Sequence, residues 1–151
     1  MPYDSFQVAN AFLELAKNES VPLTNMQLQK LVFLAQGYSL ALLNEPITYH
    51  NIHAWTWGPV LPKLYKQFKD FGSGTINRLA ASSEEVVPKD SPEYGVILGV
   101  WRKFGHMNGG QLSSLTHEVE SPWEITWKLD KFGIIPPALI GKFYKAQFHG
   151  S

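Results

Sequence analysis

Apolar residues recur at helical spacing along most of the chain, and several of these stretches begin with residues that cap helices. Asp4 with Gln7 and Thr24 with Gln27 have the spacing of capping boxes. The second box predicts the longest helix, at about residues 25–43, whose second half is apolar on most sides. Such a helix is expected in the middle of a domain.

The remaining pattern predicts a single domain over residues 1–151, with no internal repeat. Further helices are predicted at about 59–71, 92–105, 112–115, 122–131 and 139–148. Residues 47–57 favour extended structure, and 75–77 are the candidate partner strand. The predicted fold class is mainly α, a compact multi-helix domain around a central buried helix, with at most a small antiparallel β element.

Composition excludes several classes of function. Lys and Arg together number 13 and so do Asp and Glu, so the chain lacks the overall positive charge of a nucleic-acid binder. Because there is no cysteine, disulfides and Cys-based metal sites are excluded. The amino terminus does not resemble a signal peptide, and the longest apolar run, residues 31–43, is too short to span a bilayer. We therefore expect a cytoplasmic protein that does not bind membranes.

The histidines do not form a predicted catalytic or metal site. His50 and His53 lie three apart in an extended segment, which places them on opposite faces. His117 precedes Glu118, but adjacent residues of a helix do not face each other. A hydrolase would require His117 to meet a carboxylate and a hydroxyl in a pocket. We expect no enzymatic activity, no metal and no cofactor.

Lys63, Lys66 and Lys69 form a stripe interleaved with Tyr65 and Phe68, a pattern that superficially matches a nucleic-acid surface. The two aromatic residues fall on the inward face of the predicted helix, so the lysines are interpreted as a solvated face. They could also steer an acidic protein partner. A nucleic-acid-binding regulator would need this stripe to extend into a patch.

Trp55 and Trp57 stand just before Gly58-Pro59, a pair that predicts a chain reversal leading into a helix. We expect both tryptophans to be buried against the central helix, so that Trp57→Ala would unfold the protein. The contacts are expected near Leu31, Phe33 or Tyr38. An aromatic cluster left partly exposed would instead be a good docking surface.

Four segments together resemble the Panacea antitoxin domain, also called the SocA-like or GepA-like domain. They are Leu28-Gln29-Lys30-Leu31-Val32-Phe33-Leu34-Ala35-Gln36-Gly37-Tyr38, Ala54-Trp55-Thr56-Trp57-Gly58-Pro59-Val60-Leu61-Pro62-Lys63-Leu64-Tyr65, Leu112-Ser113-Ser114-Leu115-Thr116-His117 and Ser121-Pro122-Trp123. The resemblance implies a protein, encoded on a prophage or another mobile element, that binds a co-encoded toxin protein and holds it inactive. An adaptor or inhibitor that delivers its partner to a cytosolic protease is the alternative.

The candidate scaffold or partner-binding residues follow from these segments and from the lysine stripe. They are Gln29, Lys30, Tyr38, Trp55, Trp57, Gly58, Pro59, Lys63, Lys66, His117 and Trp123.

Overall fold

The computed structural model describes residues 2–82 and 85–149, and this part of the chain holds seven α-helices and one two-stranded sheet. The helices are α1 Ser5–Asn18, α2 Asn25–Leu42, α3 Pro62–Phe68, α4 Pro92–Phe104, α5 Gly109–Thr116, α6 Pro122–Leu129 and α7 Pro137–His149. The strands are β1 His53–Trp55 and β2 Gly58–Val60. The predicted mainly helical fold class is confirmed.

The predicted caps account for where the first two helices begin. The Asp4 carboxylate accepts a hydrogen bond from the backbone N–H of Gln7 at 2.8 Å. Thr24 and Gln27 form the complete reciprocal capping box at the start of α2. Asn44 follows the end of α2 in the left-handed region with φ 60°, a conformation in which asparagine commonly ends a helix.

α2 is the centre around which the other elements pack. It contacts α1, α3, α4, α5, α7 and β2. Every residue from 28 to 39 of this helix is buried, which explains why its apolar positions do not fall on one stripe. Among the described residues, no helix is both long enough and apolar enough to cross a membrane.

The predicted pairing of 52–55 with 75–77 is wrong. β1 instead pairs antiparallel with β2, from His53 opposite Val60 to Trp55 opposite Gly58. The intervening turn has two residues, whereas pairing with 75–77 would close a longer loop across α3 at greater entropic cost. Thr75 forms an isolated bridge with Thr24 instead.

The predicted start of the third helix at Pro59 is also wrong. Pro59 lies in β2, and α3 begins three residues later with Pro62 in its first turn. Both prolines favour a helix start locally, but the hairpin holds Pro59 in an extended strand. The predicted end is confirmed, because a 3-10 turn at Lys69–Phe71 continues α3 to Gly72.

A close contact between α2 and α7 depends on a glycine. A Cβ atom placed on Gly37 would collide with the ring of Tyr144, which is buried. The same ring packs on Phe33 of α2, with 6.0 Å between the ring centroids. Glycine at position 37 therefore lets α7 approach the central helix.

Gly37→Ala is expected to lower the free energy of unfolding by about 1–3 kcal/mol, because the Tyr144 ring must move and overpacking exceeds the gain in helix propensity. Gly99→Ala is the matched control, since Gly99 also lies within a helix and a Cβ there meets no atom within 4 Å. The control should gain about 0.5–1 kcal/mol. Urea unfolding measures both, and a Gly37→Ala protein as stable as Gly99→Ala would contradict the packing.

Candidate functional site

A pocket of about 600 Å³ opens where the amino-terminal end of α2, the β1–β2 turn and α3 meet. Its walls are largely apolar and aromatic. They include Met26, Trp55, Trp57, Val60, Tyr65 and Phe132. Lys30 also lines this space, which is named the Lys30 pocket below. Its size is within the range of sites that take small ligands or single side chains of a partner.

Polar side chains of α2 hold the segment from β2 to α3 in place. The Gln29 side-chain oxygen accepts a hydrogen bond from the Leu61 backbone N–H at 2.9 Å. The Gln29 amide nitrogen donates to the Asn25 side-chain oxygen at 3.0 Å, and Asn25 in turn donates to the Tyr65 carbonyl at 3.1 Å. Both amides are buried and hydrogen-bonded, so they position the pocket wall.

Lys30 is a buried cation at this site. Its relative exposure is 1%, and its Nζ donates to the Pro59 carbonyl at 3.1 Å. An ammonium group has three N–H donors, and within residues 2–82 and 85–149 the Pro59 carbonyl is the one hydrogen-bond acceptor that contacts it. Burial lowers the pKa of Lys30 to about 8, so the group is still mostly protonated at pH 7.

Glycine is needed at position 58 because β2 passes close to the Lys30 side chain. Its φ is +113°, a backbone angle that side-chain-bearing residues rarely adopt. A Cβ atom there would lie 3.1 Å from Lys30 Cε and 3.2 Å from Thr116 Oγ1. Glycine at this position therefore allows the strand to lie directly over the buried lysine.

The turn between β1 and β2 is anchored through its main chain. Ser113 Oγ donates to the Trp57 carbonyl at 2.6 Å, and Trp123 Nε1 donates to the Trp55 carbonyl at 2.6 Å. Because these bonds hold carbonyl groups, they leave the Trp57 side chain free to point outward.

The predicted burial of Trp57 against the central helix is wrong, since its relative exposure is 66%. Trp55 is half-buried and packs edge-on against Tyr65, with ring centroids 5.3 Å apart. The backbone is the structural part of this segment, and the Trp57 ring is a surface feature.

Phe132 also lines the Lys30 pocket. It is 55% exposed, and its φ of 65° is costly for a bulky residue. Its backbone N–H donates to the Ala54 carbonyl at 3.0 Å, and its own carbonyl lies 2.9 Å from His53 Nδ1. Non-glycine residues adopt this conformation at turns as well as at functional sites.

Sequence analysis missed Phe132 and Met26. Met26 is 39% exposed although it lies in the first turn of the central helix. Phe132 directly follows the helix predicted at 122–131, and no residue pattern marks either side chain as exposed beside Trp57.

The histidines have separate structural roles. His117 Nδ1 lies 3.3 Å from Ser113 Oγ, but that hydroxyl donates its proton to the Trp57 carbonyl. In the described part of the chain, no carboxylate bonds to His117, so the arrangement that a hydrolase would need is not formed. His50 contacts Ser5, and His53 contacts Phe132, so these two do not share a site.

The structure brings together six of the eleven predicted residues: Gln29, Lys30, Trp55, Trp57, Gly58 and Pro59. Trp123 and His117 support them from behind the turn, with their rings 5.2 Å apart. Three lie apart: Tyr38 packs in the core on Phe104, Tyr144 and Phe148, while Lys63 and Lys66 are exposed on α3. The role of all these residues in partner binding stays a prediction.

The family model described as Antitoxin SocA-like, Panacea domain, matches residues 28–124, more than half of the chain. The chain belongs to this family. The matched range contains Lys30, Gly58 and Pro59, whereas the rim residues Met26 and Phe132 fall outside it. The resemblance predicted from the four sequence segments is confirmed.

The chain is also similar to a curated member of the family, Antitoxin SocA of Caulobacter vibrioides (strain NA1000 / CB15N). The two are 29% identical over 130 residues, which cover 81% of this chain and 69% of the relative. No solved structure matches the chain significantly.

Lys30 should make stability depend on pH. Its pKa is about 8 in the folded chain and 10.5 when unperturbed, so between these values the unfolded chain binds more protons and the free energy of unfolding should rise with pH. The rise due to Lys30 should total about 3 kcal/mol. It is measured as the free energy of unfolding of the wild type minus that of Lys30→Met, from pH 7 to pH 11. A difference that stays flat would show that burial does not perturb this lysine.

Proposed function

We propose that this chain is an antitoxin that neutralises a co-encoded toxin by binding it directly, with the exposed rim of the Lys30 pocket as the contact surface. Membership of the SocA-like Panacea family supports a toxin partner. The single observation that carries the choice of surface is the position of Trp57, Phe132 and Met26 around one pocket.

The rim has the properties of an interface hot spot. Tryptophan and other large side chains beside a pocket contribute disproportionately to binding when a partner covers them. Here the backbone beneath the rings is fixed by Ser113, Trp123 and the hydrogen bonds of Phe132. A surface that is already ordered loses little conformational entropy on binding, so more of its contact energy appears as affinity.

The charge distribution fits a protein partner. The chain has equal numbers of basic and acidic residues, which does not favour nucleic acid. Lys63 and Lys66 are exposed on the helix that carries Tyr65 of the pocket. In this position they would steer an acidic protein surface toward the rim.

Trp57→Ala and Met26→Ser are expected to weaken binding of the co-encoded toxin by roughly 30-fold or more each, as hot-spot truncations of about 2 kcal/mol do. Leu42→Ser is the matched control, because Leu42 is 52% exposed on the same helix as Met26 and about 24 Å along its axis. Calorimetry measures affinity, and rescue of growth during toxin expression measures neutralisation.

Thermal melts complete this test. All three variants should melt within a few degrees of the wild type, because each removes an exposed side chain. If Trp57→Ala and Leu42→Ser neutralise equally well, the rim is not the toxin-binding surface. Toxin levels in the rescued cells should remain constant, since direct binding blocks the toxin without degradation; a fall would favour delivery to a protease.

A further inference from the structure

We infer that the Lys30 pocket is a receptor for a carboxylate group carried on an apolar or aromatic body, and that the bound toxin supplies this group from an acidic side chain. The inference rests on the proposed function for its choice of partner. Its chemistry rests on the pocket alone.

The first step concerns charge. Lys30 is buried, yet within the described ranges no Asp or Glu pairs with it, and the pocket lining contains no acidic residue. A buried cation without a counter-charge is costly, and an anion that enters the pocket would supply the missing partner. Because Lys30 is 1% exposed, the groups that cover its ammonium must move aside to admit that anion. Two N–H donors of the ammonium remain for that anion after the bond to the Pro59 carbonyl.

The second step selects the kind of anion. Lys30 is the one cationic side chain in the lining, and the neighbouring amides of Asn25 and Gln29 are already engaged with each other and with the backbone. Phosphate groups usually require several cations or a fork of donors, whereas one ammonium matches one carboxylate. The aromatic walls would bury an apolar body attached to that carboxylate.

The third step identifies the molecule that supplies the carboxylate. The pocket opening is bordered by the same exposed residues, Trp57, Met26 and Phe132, that form the proposed toxin-binding rim. A partner that covers this rim would exclude water from the opening and strengthen the contact between its carboxylate and Lys30. An acidic side chain next to apolar residues of the toxin therefore fits both parts of the surface.

Binding of phenylacetate and of its neutral counterpart phenylacetamide tests whether the pocket selects a carboxylate. Titrations followed through the indole N–H signals of Trp55 and Trp57 should show saturable binding of phenylacetate and at least about tenfold weaker binding of the amide, as loss of a charge-assisted hydrogen bond predicts. Lys30→Met should bind phenylacetate at least about tenfold more weakly than the wild type. Lys142→Met, which removes an exposed lysine of α7, should bind like the wild type.

Equal affinity for acid and amide, no saturable binding of phenylacetate, or unchanged binding by Lys30→Met would each overturn the carboxylate receptor. Thermal melts must show that Lys30→Met is folded. Methionine matches the length of the lysine stem without a buried charge, so this variant is expected to fold. If it does not, Lys30→Gln takes its place in the same titrations with the same outcomes.

Binding of the co-encoded toxin tests whether the toxin supplies the carboxylate. Lys30→Met should bind the toxin at least about tenfold more weakly, and phenylacetate should compete with the toxin for the wild-type protein. If the toxin binds Lys30→Met as well as the wild type while phenylacetate does not, the assignment of the carboxylate to the toxin is wrong. If the wild type does not bind the toxin at all, the proposed function fails, and the two small molecules still decide the chemistry of the pocket.

Discussion

The β1–β2 hairpin has strands of three residues each, too short to be stable alone, so helices must hold its main chain. Lys30 of α2 donates to the Pro59 carbonyl, Ser113 of α5 to the Trp57 carbonyl and Trp123 of α6 to the Trp55 carbonyl. Three helices thus meet at one turn through side-chain to backbone bonds. The location of the pocket, the outward position of Trp57 and the burial of Lys30 all depend on this arrangement.

The central helix combines two tasks that usually fall to different elements. Its middle turns, as far as residue 39, are buried largely in the apolar core, where Gly37 admits the ring of Tyr144 from α7. Its early turns bury the polar side chains Asn25, Gln29 and Lys30 instead. The amides are matched by backbone partners, whereas the lysine keeps an unbalanced charge. The scaffold is therefore completed within the chain, whereas no acidic residue lines the pocket beside Lys30.

Local chemistry determined most of the helical framework. The N-cap at Asp4, the capping box at Thr24, and Ser121 followed by Pro122 define helix starts within a few residues, because the bonds that make them are local. The turn chemistry at 56–62 was ambiguous, since Pro59 and Pro62 are both compatible with the first turn of a helix. Pairing with β1 decided between them, and that pairing depends on bonds from three helices that follow or precede the turn.

The sequence by itself determined that the chain is mainly helical, that residues near 25–43 form its centre, and that its segments match the SocA-like Panacea family. It also singled out Lys30 and Trp57, but it assigned Trp57 to the core. Only the tertiary structure decided which aromatic rings remain exposed, and it joined Trp57 to Met26 and Phe132 around one pocket. The physical reason is that capping and periodicity act over three or four residues, whereas exposure depends on packing between elements far apart in the chain.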